Sequence, residues 1–220
     1  MDTKQEDWRK LREKNKALEK AMKVVSKTKG YKSIKEIRYK IIDGFLYAVF
    51  YTPTLIDENV FCPRLCIDIH TKPLILNEIF WKVFGMYDLA LKQPESFHIK
   101  GTFTARGVDI DKFYQDYFEE ENQEVVAENI LEKTTLLIEN SRKKIFDIAT
   151  FETFIYEKPN QELNKILISI IKQDYFKAEN LIDYCISNKI CGGFRKGDSW
   201  KSIIECAKEY INGVRSNNIK

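Results

Sequence analysis

The sequence predicts an α+β protein with an N-terminal helix, a four-stranded, mainly antiparallel sheet carrying one inserted short helix, and an all-helical C-terminal region. Three observations carry this reading. Apolar residues recur at helical spacing at the start of the chain, switch to period two, and return to helical spacing from Asp109 onward. A tight-turn dipeptide, Asp43-Gly44, joins two of the period-two runs. Strands gathered in the first half and helices in the second exclude the alternation that builds a doubly wound parallel sheet.

The first helix is expected from about Thr3 to Lys29, where Trp8, Leu11, Leu18, Met22 and Val25 form a narrow stripe. Gly30 follows as a left-handed C-cap. In Ile34–Ile42, Ile37, Tyr39 and Ile41 alternate with Glu36, Arg38 and Lys40, the pattern of a half-buried strand. After the Asp43-Gly44 turn a second strand covers Phe45–Thr52 and ends at Pro53. A turn at Leu55–Asn59 leads to a third strand from Val60 to about His70. Pro73 to Gly85 reads as a short helix stopped by glycine. A fourth strand is expected at Phe97–Arg106, with Phe97, Ile99, Phe103 and Ala105 on one face.

The rest reads as helices: Asp109–Phe118, a long acidic one at about Asn122–Ile148, then Gln161–Ile171 and Tyr175–Asn188. A last helix, capped by Asp198 or Ser199, runs to about Gly213. This divides the chain into a helix-plus-sheet domain at residues 1–108 and a helical subdomain at 109–220. The two could equally form one compact body.

A hydrophobic content of 44% with 31% charged residues suits a globular protein and excludes global disorder. No apolar run approaches the roughly 20 residues that span a bilayer. The charged start of the chain has no secretory apolar region, so a cytoplasmic, membrane-free protein is expected. Five cysteines at irregular spacing fit free thiols in a reducing compartment. The abundance of Lys and Ile points to an AT-rich bacterial or phage source. Charge is unevenly placed. Residues 1–40 hold 14 basic and 6 acidic side chains, whereas residues 109–162 hold 6 and 14. Such a split either compensates internally or meets a charged partner.

The candidate binding residues lie on the polar face of the expected sheet. Strand alternation turns Leu65, Ile67 and Ile69 inward and Arg64, Cys66, Asp68 and His70 outward. His98, Lys100 and Arg106 form the polar set of the expected fourth strand, and Arg38 that of the first. A mixed-charge face with both histidines suits contact with another protein. If helices cover it, Asp68 with His70 or Lys100 becomes an acid/base pair in an enzyme pocket.

Other chemistries fail on geometry. Cys62, Cys66 and His70 would suit a metal on a helix, but four strand residues span about 13 Å, far beyond a shared zinc. The same distance separates Cys66 from His70 as a nucleophile pair. Gly192 to Ser199 outlines a phosphate loop, yet Asp198 stands where lysine is required and a helix precedes it. No cofactor motif is found. The lysines of the first helix, among them Lys10, Lys14, Lys16 and Lys23, surround it and form no single stripe, so nucleic-acid binding ranks below protein binding. The acidic segment from Asp116 is a solvated helix start or a dock for a basic partner.

The stretch Cys66-Ile-Asp-Ile-His-Thr-Lys-Pro-Leu-Ile-Leu-Asn-Glu-Ile-Phe-Trp-Lys-Val-Phe-Gly85, followed by Phe97-His-Ile-Lys-Gly-Thr-Phe-Thr104, resembles bacterial helix-plus-sheet proteins of the toxin-system immunity type. The resemblance covers roughly residues 15–110. It implies a non-enzymatic role in binding or blocking another protein, a toxin or defence component, by surface complementarity.

Overall fold

The structure, a computed structural model, describes residues 2–55, 63–92, 95–100, 103–116, 122–197 and 199–218. In chain order, α1 (Asp2–Thr28) leads into β1 (Lys32–Ile34), β2 (Ile37–Ile42), β3 (Phe45–Leu55) and β4 (Pro63–Pro73). Three short helices follow, α2 (Ile75–Val83), α3 (Tyr87–Lys92) and α4 (Glu95–Lys100). β5 (Val108–Asp116) then returns to the sheet. After it come α5 (Gln123–Arg142), α6 (Ile148–Tyr156), α7 (Glu162–Ile171), α8 (Tyr175–Ser187) and α9 (Ile203–Asn218). The chain is α+β and divides into two compact units. One is Met1–Thr71 with Gly107–Lys144, the other Lys72–Arg106 with Ile145–Lys220.

The first unit is a sheet in strand order β1-β2-β3-β4-β5, with β1–β2, β2–β3 and β4–β5 antiparallel and with α1 and α5 packed on one face. Leu11, Leu18, Met22 and Val25 of α1 and Val126, Ile130, Leu131 and Ile138 of α5 are buried. Their spacing is the narrow stripe expected of a helix that packs along one edge. At the end of α1, Gly30 (φ +72°) lets its own N–H reach Lys27 and the Tyr31 N–H reach the Ser26 carbonyl. This is the paired closure of a Schellman motif. Asp43 and Gly44, both at positive φ, turn β2 into β3 with Ile42 opposite Phe45. On β4, Leu65, Ile67 and Ile69 are almost completely buried, as alternation requires.

Several expectations are overturned. The expected first strand is two, because Lys35 takes a left-handed conformation (φ +50°) and sets Ile34 opposite Ile37. A Lys-Glu pair lacks the Asn, Asp or Gly that announces such a hairpin. The expected fourth strand is absent: Glu95–Lys100 is helix α4, and irregular chain follows it at residues 103–107. There the neighbours His98 and Ile99 are both buried while Phe97 is exposed, so burial does not alternate. The expected helix at Asp109–Phe118 is instead β5, the fifth strand. Ile69 faces Asp111 and His70 faces Asp109, which leaves Ile110 as the extra residue of a bulge. That bulge breaks period two and makes Ile110, Phe113 and Tyr114 mimic helical spacing. The expected turn at Leu55–Asn59 and the start of the third strand at residues 60–62 lie outside the described residues.

The long acidic helix also stops earlier than expected, at Arg142, and a new helix α6 begins after Asp147. The Asp147 carboxylate accepts from the Thr150 N–H (2.7 Å) while the Thr150 hydroxyl accepts from the Asp147 N–H (3.0 Å). This reciprocal capping box satisfies amides that a continuous helix would have used. In α9 the cap is Ser202, not Asp198 or Ser199. Its N–H and hydroxyl bond Glu205, and its oxygen accepts from the Glu205 N–H.

The second unit is built around α7, which packs against α2, α6, α8 and α9. Leu163, Ile166, Leu167, Ile168 and Ile170 are all buried, while Glu162 and Lys165 are not, so a broad apolar face of this helix enters the core. Phe80, Trp81, Phe151, Ile155, Ile182, Ile204 and Ile211 complete the core.

Removing one cap tests the helix boundaries. Asp147→Ala should lower stability by about 1 kcal/mol in urea unfolding, with α6 fraying first in amide exchange. A loss below the error of the measurement would show that the box does not terminate α5 and start α6.

Candidate functional site

The polar face of β4 is present, and β5 completes it. Register places Asp68 opposite Lys112, Cys66 opposite Tyr114, Arg64 opposite Asp116 and His70 opposite Asp109. Across the pair the Lys112 ammonium meets the Asp68 carboxylate at 3.2 Å, and His70 Nε2 lies 3.0 Å from the Asp109 carboxylate. The Arg64 guanidinium sits 3.9 Å from the centre of the Tyr114 ring. The Cys66 thiol donates to Asp68 at 3.6 Å, and the Phe50 ring lies 4.8 Å from that of His70. Hydrogen bonds that the Lys112 ammonium donates to Asp68 and then to Cys66 push it above the usual lysine range. Asp68 and His70 are half-buried, whereas Asp109 is 75% exposed.

Cys66 and His70 stand about 13 Å apart along the strand, too far to act together as nucleophile and base. Cys62 lies outside the described residues, and among those described no group of three or more potential metal ligands occurs.

The other predicted residues lie elsewhere. Arg38 is fully buried on the opposite face of the sheet, under α1. Its guanidinium bonds the Glu19 carboxylate at 2.6 Å and the Lys35 carbonyl at 2.7 Å, and Tyr51 donates to the same carboxylate. Burial, reinforced by the Glu19 bond, pushes the Tyr51 hydroxyl far above its ordinary range. His98 and Lys100 belong to α4, so only one of the two histidines is on the sheet; the Lys100 side chain lies outside those described. Arg106 is exposed in irregular chain, its carbonyl accepting from Asn164 at 3.2 Å.

Sequence reasoning missed the second unit's most constrained polar cluster. Lys72, at the end of β4, is buried, and desolvation is what shifts it. Its ammonium donates to the Thr104 hydroxyl (2.7 Å), the Ala105 carbonyl (2.6 Å) and the Asn77 side-chain oxygen (3.3 Å). The same oxygen accepts from the Ala105 N–H at 2.9 Å, which fixes the orientation of the Asn77 amide. Its nitrogen therefore donates to His98 Nδ1 at 2.8 Å. His98 must then be neutral, protonated on Nε2. Trp81 packs its ring 4.9 Å from the imidazole and donates to the Phe103 carbonyl. Burial lowers Lys72 to about 7, and burial together with the Lys72 charge lowers His98 to about 4.

Among the described residues no helix is long and apolar enough to cross a membrane. No protein-family model, curated protein or solved structure matches the chain.

The cluster sets a pH dependence. Between about pH 7 and 10.5 the unfolded chain carries the Lys72 proton that the folded chain has released. Stability therefore rises with pH across that window and is lost as pH falls back through 7. His98 adds a second rise between pH 4 and 6.5. From pH 7 to 10 wild type should gain on the order of 3 kcal/mol in urea unfolding, and Lys72→Met should remove that gain. An equal slope in both proteins would sink the assignment.

Proposed function

We propose that the chain is a non-enzymatic protein-binding protein that docks a basic surface of its partner on the β4–β5 face. The observation that supports this best is the pre-formed set of charge pairs on two hydrogen-bonded strands. Side chains already held by their neighbours lose little entropy when a partner arrives. The outer strand adds chemical selectivity. β5 ends the sheet, and Asp109, Asp111 and Asp116 outnumber its single cation, Lys112. Charges along such an edge oppose indiscriminate strand pairing, and here they favour a cationic partner. The resemblance to immunity proteins accords with this reading, the partner then being a toxin neutralised by surface complementarity.

The test is affinity for the partner captured by the wild-type chain from its native host. Asp109→Lys/Asp111→Lys/Asp116→Lys should weaken the complex by about tenfold or more and reduce its salt dependence. Glu179→Lys/Asp183→Lys, on α8, should leave it intact. Equal affinity in the triple variant and wild type would exclude this face as the dock.

A further inference from the structure

The second unit contains a cleft of about 580 Å³ whose chemistry is opposite to that of the sheet face. Three lysines line it: Lys82 from the last turn of α2, and Lys196 and Lys201 from a small hairpin before α9. The Lys196 N–H donates to the Lys201 carbonyl at 2.8 Å, the Trp200 N–H donates to the Lys196 carbonyl at 2.8 Å, and Arg195 bridges to Ser202. Lys201 bonds the Glu209 carboxylate, whereas the ammonium groups of Lys82 and Lys196 have no ion-pair partner among the described residues. Among the described residues the cleft thus keeps two cations outside any ion pair.

Its remaining walls suit a ring. Tyr87 and Tyr210 line it from α3 and α9, over an apolar floor that includes Val83 and Val214. Burial, with Glu209, pushes the Cys206 thiol up against the pull of Lys196 and Lys201, so the thiol stays neutral. Gly213 provides an independent sign. It lies inside α9 and lines the cleft, yet a Cβ placed on it meets nothing within 4 Å. Glycine inside a helix costs about 1 kcal/mol relative to alanine. No packing contact and no positive φ requires it here, and its effect is to leave the cleft wall open.

We propose that this cleft binds a phosphate-bearing small molecule with a planar ring, a mononucleotide by chemical class, its phosphate held by Lys82, Lys196 and Lys201 and its ring against Tyr87 and Tyr210. The volume falls in the range of small-ligand pockets. Point-charge ammonium groups suit a phosphate, and aromatic faces stack any nucleobase with little sequence preference. The glycine-rich run at 192–199 therefore contributes one lysine, Lys196, to the cleft.

Calorimetric titration of the full chain with adenosine monophosphate, adenosine and inorganic phosphate tests this. The monophosphate should bind saturably, with adenosine and inorganic phosphate each at least about tenfold weaker. Lys82→Glu/Lys196→Glu should weaken the monophosphate about tenfold or more. Gly213→Leu should abolish its binding while the melting temperature stays at or above that of wild type, because leucine is the better helix former. No saturable heat up to about 5 mM monophosphate, or equal binding in both variants, would overturn the proposal. Inorganic phosphate as tight as the monophosphate would overturn the ring-bearing class. Charge reversal on β5 should leave this titration unchanged, so the two readings fail separately.

Discussion

The geometry of the sheet depends on one return. The chain leaves β4 after Thr71 and must come back at Gly107 for Val108 to lie opposite Thr71 and Asp109 opposite His70. Lys72 governs the intervening excursion by bonding the Ala105 carbonyl, so its two ends are tied together by a single ammonium group. Asn77 holds the same point through Ala105, and His98 and Thr104 fill its remaining valences. An unpaired buried cation is expensive, and three acceptors around three N–H donors make this one tolerable. At the re-entry, a Cβ on Gly107 would approach the His70 Cβ to 3.2 Å. Close approach of the backbone explains the residue there. From Val108 onward β5 pairs with β4 and brings Asp109, Lys112 and Tyr114 to the polar face.

Legibility differed by the range of the interaction. Local signals carried through: the α1 cap at Gly30, the Asp43-Gly44 turn, the alternation of Leu65, Ile67 and Ile69, and helix α2 stopped by Gly85. Each is set by residues adjacent in the chain. The expectations that failed depended on distant partners. β5 was hidden because its bulge at Ile110 has meaning only against Ile69 and His70, some forty residues upstream. α4 was hidden because Phe97 and Ile99 look alike in the sequence until burial separates them. Of the candidate site, Arg64, Asp68 and His70 were readable from strand period, while their partners on β5 were not. Asn77 carried a usable signal. An amide inside the apolar run Leu74 to Trp81 must find partners in the core.

The uneven charge along the sequence is partly consumed inside the first unit. Lys29 of the basic stretch meets Glu132 of the acidic helix at 2.9 Å, Arg142 meets Asp43 at 2.6 Å, and Arg38 meets Glu19. The two exposed pairs contribute little stability: Lys29–Glu132 joins the end of α1 to α5, and Arg142–Asp43 joins α5 to the β2–β3 turn. What remains is an acidic outer strand in one unit and a lysine-lined cleft in the other. The chain thus offers two chemically opposite surfaces, each built within its own unit.

The interleaving of the two units has a consequence for synthesis. Each unit is made of two separated stretches of chain, so neither can finish folding in the order in which its residues leave the ribosome. Strands β1 to β4 emerge early but lack both α5 and β5, which leaves the β4 edge open and the sheet half covered. Until Asp116 is out and β5 can pair, that edge is a template for mispairing. The nascent chain therefore passes through an interval in which its longest strands are its most aggregation-prone feature, and the charged side chains of β4 protect it then, before any partner is met.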